Sequence, residues 1–367
     1  MSLSAVIARL AALGLAGIAV LGLVAVFSWS SLGHYAAPSS LAQRATRCDV
    51  LDEHGELRRG LAPAVAIAAC SARIEAGSDP APAAAVDYSS RGLAYRENGE
   101  SDLAIQDLDA AIRLAPDLAP AFRNRGLAYL DKGESDRAIQ DLDQAVRLAP
   151  DDAGAHLGRG RAFLDQGQYD RAMPDLDLAV SLRPMDAAAR GTRGRAYLGK
   201  GQIDAAIQDL DVAISFKPEW AAASADRGRA YLDKGKYDQA IQDLDRAIRF
   251  KPDLAVAFAD RGAAYRRLGQ FDPAVQDLDQ AVKLRPEDPA PHAERAWIEL
   301  RLNELDLASD DFATAFRADP KLATSLYGQG MVKKRNGDPA GAERDFTAAR
   351  AIDPNVDAKV AVAAWLQ

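Results

Sequence analysis

Between Ala221 and Leu254 the chain reads AAASADRGRAYLDKGKYDQAIQDLDRAIRFKPDL, and its apolar positions fall into two runs. In the first, residues 222–234, Ala225, Gly228, Ala230, Tyr231 and Leu232 stand among Arg and Asp with no proline between them. Ala, Leu and Arg favour helix, and Gly235 follows as a residue able to end one in the left-handed conformation. In the second run, Asp238 to Phe250, the apolar residues Ala240, Ile241, Leu244, Ala247 and Ile248 fall at i, i+1, i+4, i+7 and i+8. That is an apolar stripe at helical period. Arg249 and Lys251 suit the negative end of the helix dipole. Pro252 stops the helix and can open the next. The pattern predicts two antiparallel helices joined by a short turn.

Shifted by 34 residues in either direction, the unit nearly reproduces itself. Pro252 has counterparts at Pro116, Pro150, Pro184, Pro218, Pro286, Pro320 and Pro354, with no insertion between them. A fixed period of this kind is the mark of a repeat array. Gly228 recurs in seven of eight units, Ala296 being the exception, while Ala240 and Ala247 recur in all eight. Glycine inside a helix costs about 1 kcal/mol relative to alanine, so its recurrence predicts close packing, with Gly228 facing Ala240 and Leu244. Arg227 and Asp243 also recur, which predicts a ladder of structural ion pairs within or between units. Solvent-exposed pairs contribute only about 0–1 kcal/mol each; partly buried ones fix register, and losing one partner costs roughly 3–5 kcal/mol.

The pattern of Gly228, Tyr231, Gly235, Tyr237, Ala240, Ala247 and Pro252 resembles the tetratricopeptide repeat, a helix-turn-helix unit of 34 residues. The resemblance is to bacterial membrane-anchored or exported members. It implies an all-α, right-handed α-solenoid of eight repeats: 85–118, 119–152, 153–186, 187–220, 221–254, 255–288, 289–322 and 323–356. Departures gather at the end, with Asn303 for the turn Gly, Glu299 and Lys333 for the aromatic, and Pro339 before the last second helix. Residues 61–84 read as an N-terminal capping helix and residues 357–367 as a C-terminal one.

The chain has 367 residues, 48% hydrophobic and 27% charged, with net charge −8, which bounds it as a folded chain. The acidic balance speaks against a nucleic-acid partner, which needs clustered Lys and Arg. Residues 1–31 stand apart: after Arg9, twenty residues from Leu10 to Trp29 carry no charge, long enough to cross a bilayer core of about 30 Å. They predict an N-terminal transmembrane helix, with a cleaved signal peptide as the alternative because small-residue cleavage sites follow. Charge placement predicts the inner membrane, single-pass, with the repeats facing the periplasm; cleavage would leave a soluble periplasmic protein. Residues 32–60 read as a linker. Cys48 and Cys70 are the only cysteines, and a structural disulfide between them fits an exported chain; two inert buried thiols are the alternative. Bacterial exported tetratricopeptide proteins look similar just before their first repeat.

No catalytic constellation is found, and none for a metal or cofactor. His34, His54, His156 and His292 fall in unrelated places, and the spaced acids follow no calcium-loop pattern. The expected activity is non-catalytic: a protein–protein interaction scaffold of the cell envelope, or alternatively an exported chaperone or secretion adaptor. The resemblance implies that first helices line a concave groove. Its binding positions would be Arg123, Asn124, Leu127, Asp131, Arg161, Asp165, Arg195, Arg229, Asp233, Arg266, Arg267, Trp297, Arg301, Tyr327 and Arg335. Arg outnumbers acid among them, which suggests an acidic or C-terminal peptide partner. The carboxylate clamp known in the family is absent from the first three repeats, where Ser89, Leu93, Gly154 and Gly158 hold its other positions beside Asn124. The sequence leaves the oligomeric state open.

Overall fold

The computed structural model describes Cys48, Val50 and residues 56–58, 60–77 and 80–364. Among these residues the fold is all-α, with eighteen helices and no strand. After α1 (Pro63–Ala76), first and second helices alternate. The first helices are α2 (Ala81–Glu97), α4 (Ala119–Asp131), α6 (Ala153–Asp165), α8 (Ala187–Gly199), α10 (Ala221–Asp233), α12 (Ala255–Arg267), α14 (Pro289–Leu302) and α16 (Ala323–Arg335). The second helices are α3 (Ser101–Leu114), α5 (Ser135–Leu148), α7 (Tyr169–Leu182), α9 (Ile203–Phe216), α11 (Tyr237–Phe250), α13 (Phe271–Leu284), α15 (Leu305–Ala318) and α17 (Pro339–Ile352); α18 (Val356–Ala364) follows.

The chain divides into two compact units, Met1–Lys132 and Gly133–Gln367. In the first, α1 packs on α2, and α2 on α3 and α4. Cys48 and Cys70 form a disulfide, buried with Val50, Ala66 and Ala94. The Arg58 N–H donates to the Val50 carbonyl at 2.9 Å. The segment read as a linker therefore contributes core residues to this unit.

In the second unit α5–α18 follow one another as a solenoid-like repeat array. Each helix packs on the next, and successive first helices from α6 to α16 also pack on one another. Successive second helices make no comparable contact, so within this unit the first helices lie on the inner side. The close approach expected at Gly228 is present: a Cβ there would come within 2.7 Å of Leu244 Cγ and 3.2 Å of the Ala240 carbonyl. Leu244 and its counterparts Leu142, Leu176, Leu210 and Leu278 are fully buried. The turn at Gly235 has φ +74°, and Asn303 takes the same left-handed role at φ 65° in the seventh unit, as its short polar side chain permits. At the end, Val356 and Val360 of α18 bury against Trp297, Phe312 and Val332; Trp365 lies outside the described residues.

The expectation of a single-pass inner-membrane protein is corrected here. Among the described residues, no helix is long and apolar enough to cross a membrane. Residues 1–31, on which that expectation rested, and His34 and His54 lie outside the described residues.

Candidate functional site

In the second unit each recurrent arginine on a first helix holds two aspartates. The guanidinium of Arg227 donates through Nε and Nη2 to both oxygens of Asp243, 16 residues ahead, at 2.7 and 2.6 Å. Its Nη1 donates to Asp211, 16 residues behind on the preceding second helix, at 2.7 Å. The same double contact is made by Arg159 to Asp175 and Asp143, Arg193 to Asp209 and Asp177, Arg261 to Asp277 and Asp245, and Arg295 to Asp311 and Asp279. In the first unit Arg91 takes Asp107 and Arg125 takes Asp109. The paired acids of the Asp-Leu-Asp motif point apart, as side chains two residues apart on a helix do. One closes its own hairpin and the other clips the next. The ladder ends on both sides at once. Gln329 replaces the arginine where Ala313 replaces its rearward acid, and Asp345 turns to Lys333 at 2.7 Å. The hydrogen bonds that Arg227 donates to Asp243, and then the one it donates to Asp211, hold its pKa above the ordinary value against the opposing effect of burial.

Two histidines join this ladder, which corrects their reading as unrelated. His156 and His292 stand four periods of 34 residues apart. His156 meets Asp175 through Nδ1 at 2.7 Å and the Pro150 carbonyl through Nε2 at 2.9 Å. His292 repeats this with Asp311 and Pro286, and Arg190 does so with Asp209 and Pro184. The signal was available in the period itself.

The expected binding positions divide in two. In the first unit Arg123 and Asn124 are buried in α4, Leu127 is half-buried, and Asp131 is exposed beside Arg96. In the second unit Arg161, Asp165, Arg195, Arg229, Asp233, Arg301 and Arg335 are exposed, Arg267 and Tyr327 half-buried, and Arg266 and Trp297 buried. Trp297 meets Phe312 edge to face with centroids 4.8 Å apart. Tyr327 donates to Asp357 at 2.9 Å, and Arg335 to the Leu300 carbonyl, so both serve packing.

A second ladder runs along this inner face. Arg195 pairs with Asp226 at 3.0 Å and Arg229 with Asp260 at 2.7 Å, each 31 residues ahead; Arg266 pairs with Glu294 at 2.5 Å. Asp226, Asp260 and Glu294 share one register at the 34-residue period, so this ladder too has a signal in the sequence. They absorb much of the basic character expected there. Burial pushes Asp260 up to about 6, against the pull of Arg229. Among the described residues no group of three or more His, Cys, Asp or Glu could hold a metal ion.

A family model described as Tetratricopeptide repeat matches residues 89–153, 123–188, 157–223 and 259–323, and a second, described as TPR repeat, matches 228–269. The chain belongs to the tetratricopeptide repeat family. Among solved structures, this tetratricopeptide repeat protein is similar to a chain of the APC/C hetero-tetramer Cut9–Hcn1, with a TM-score of 0.64 and 18% identity over 83% of this chain. It spans 57% of that chain's length. A tetratricopeptide repeat protein from Parabacteroides merdae gives a TM-score of 0.51 at 18% identity, over 68% of this chain and 98% of that one. YrrB, described as a TPR protein with an unusual peptide-binding site, gives 0.40 at 25% identity, over 52% and 95%. The first two likenesses show the fold. Among curated proteins no match is found.

Proposed function

We propose that this chain is a non-catalytic scaffold that holds protein or peptide partners against the face formed by its first helices. The observation that carries this reading is the division of labour between helices in the second unit. The second helices spend their conserved-period residues, Leu244 and Asp243 among them, on packing and the arginine ladder. Successive first helices instead meet one another and leave Arg161, Asp165, Asp233 and Arg301 exposed on a continuous surface. Membership of the tetratricopeptide repeat family supports the same reading. Arginine is also among the residue types enriched at binding hot spots.

The test is co-purification with paired variants. Arg161→Glu with Arg301→Glu reverses charge on the first-helix face; Gln208→Glu with Gln242→Glu adds charge to exposed second-helix positions. Partners are expected to be lost with the first pair and kept with the second. Loss with the second pair alone would contradict the proposal.

A further inference from the structure

A third ladder runs along the edge of the second unit where first helices turn into second ones. The residue just before the turn glycine reaches back to an aspartate in the first turn of the preceding second helix, 30 residues behind. Gln166 meets Asp136 at 2.7 Å, Lys200 meets Asp170 at 2.5 Å, and Lys234 meets Asp204. In the first unit Lys132 does the same with Asp102 at 2.6 Å. Then the pattern changes. Leu268 and Leu302 occupy the next two positions in this register. They are 37% and 49% exposed, and Leu307, just past the turn at Asn303, is 55% exposed.

The aspartates of this ladder continue where its lysines stop. By the register of Lys234 on Asp204, Leu268 stands beside Asp238 and Leu302 beside Asp272. Asp204 faces two lysines, Lys234 and Lys236. The side chains of Asp238, Asp272 and Asp306 are exposed and make no hydrogen bond or ion pair among the described residues. The helix dipole favours an acid in the first turn of a helix, so these aspartates need no partner to stand there. The leucines have no such reason. Leucine at this position leaves much of its side chain in water, where lysine would make an ion pair. Arg267 and Arg301, one residue earlier, belong to the first-helix face. The turn edge of the sixth and seventh units is therefore apolar with an acidic border, and exposed apolar surface rimmed by polar groups marks interaction sites.

We propose that this turn edge docks a basic amphipathic helix of another protein, whose apolar face covers Leu268, Leu302 and Leu307 while its lysines or arginines meet Asp238 and Asp272. The partner supplies from outside the cations that the fourth and fifth units carry themselves as Lys200 and Lys234. Complementary charge of this kind sets the choice of partner and its register. The acidic border argues against an anionic lipid surface and against nucleic acid. Successive first helices pack on one another, which sets neighbouring units about 8–10 Å apart. Two turns of a helix advance about 10 Å, so cations seven residues apart reach successive aspartates. This edge is distinct from the first-helix face, so the inference goes beyond the scaffold reading above and does not depend on what fills that face.

The experiment measures the binding of three C-amidated helical peptides to the purified full chain by fluorescence anisotropy. The first carries leucine along one face and lysine at i and i+7 beside it. The second has glutamate for lysine, and the third has serine for leucine. The first is expected to bind at least tenfold more tightly than the other two. Leu268→Lys with Leu302→Lys rebuilds the arrangement of Lys200 and Lys234, so this variant should keep its fold and bind the first peptide at least tenfold more weakly than wild type. Asp238→Asn with Asp272→Asn should weaken the same peptide. Binding left unchanged by either pair would overturn the inference, because the peptide would then be held by the acidic chain as a whole or by apolar contact alone. Failure of the first peptide to bind, or equal binding of the glutamate peptide, would overturn it too. Arg161→Glu should bind the first peptide as wild type does. Loss with that variant would move the peptide to the first-helix face, overturning this inference while the scaffold reading stands.

Discussion

At the scale of single residues, the arginine that reads two aspartates is the part of this chain with the sharpest energetics. In Arg227 the forward partner Asp243 is 9% exposed and the rearward partner Asp211 is 51% exposed. The two bonds should therefore differ. Arg227→Ala strands a buried carboxylate and should cost roughly 3–5 kcal/mol, whereas Asp211→Ala should cost about 0–1 kcal/mol. Double-mutant cycles on urea melts measure both couplings, and equal couplings would contradict the geometry. The Arg–Asp spacing was legible in the sequence because both residues recur at one period. The rearward bond was not, because it joins residues of different hairpins and only packing brings them together. Glu299 offers a second test at this scale. It stands where the first six units place Tyr or Phe, is 8% exposed, and has no partner for Oε2. Burial first, and then Asp311, push its pKa up to about 7 against the pull of Arg295. A carboxyl raised above its unfolded value is stabilising while protonated and loses that stability as pH rises towards 7. The penalty above pH 7 is at most about 3 kcal/mol by the shift. Glu299→Gln should therefore melt close to wild type at pH 5 and several degrees higher at pH 8. An offset that does not change with pH would show that Glu299 is not the titrating group.

At the scale of helices, glycine decides how closely a pair can approach. A Cβ at Gly228 would press on Leu244 at 2.7 Å, so Gly228→Ala should destabilise by about 1–3 kcal/mol through overpacking. The gain of about 1 kcal/mol in helix propensity offsets part of this, for a net loss of about 0–2 kcal/mol. A thermal melt showing stabilisation would contradict the close approach. The seventh unit shows how the rule can be relaxed. Ala296 takes the glycine position there, and the facing leucine becomes Phe312, whose ring turns toward Gly328 and Trp297. The helices themselves were legible from their apolar stripes and turn glycines, including Asn303 as a stand-in. The buried fate of Arg123, Asn124, Arg266 and Trp297 was not. A sequence period assigns a residue to a face, but neighbouring repeats decide how much of that face remains open. The disulfided segment before α1 was likewise read as a linker, because Val50 carries no periodic pattern to announce its burial.

At the scale of the whole molecule, each of the two units keeps its own ladder, and the second presents the longer run of first helices. The membrane placement expected from residues 1–31 finds no counterpart among the described helices. What remains is a tetratricopeptide repeat scaffold, for which the first-helix face is the binding face proposed above. Photo-crosslinking in cells puts this to the test most directly. One probe replaces Leu232, half-buried on the first helix α10, and a second replaces Gln242, exposed on the second helix α11. A discrete adduct from the Leu232 probe alone is the expected result, and its mass identifies the partner. Adducts from the Gln242 probe alone would contradict the assignment of the binding face.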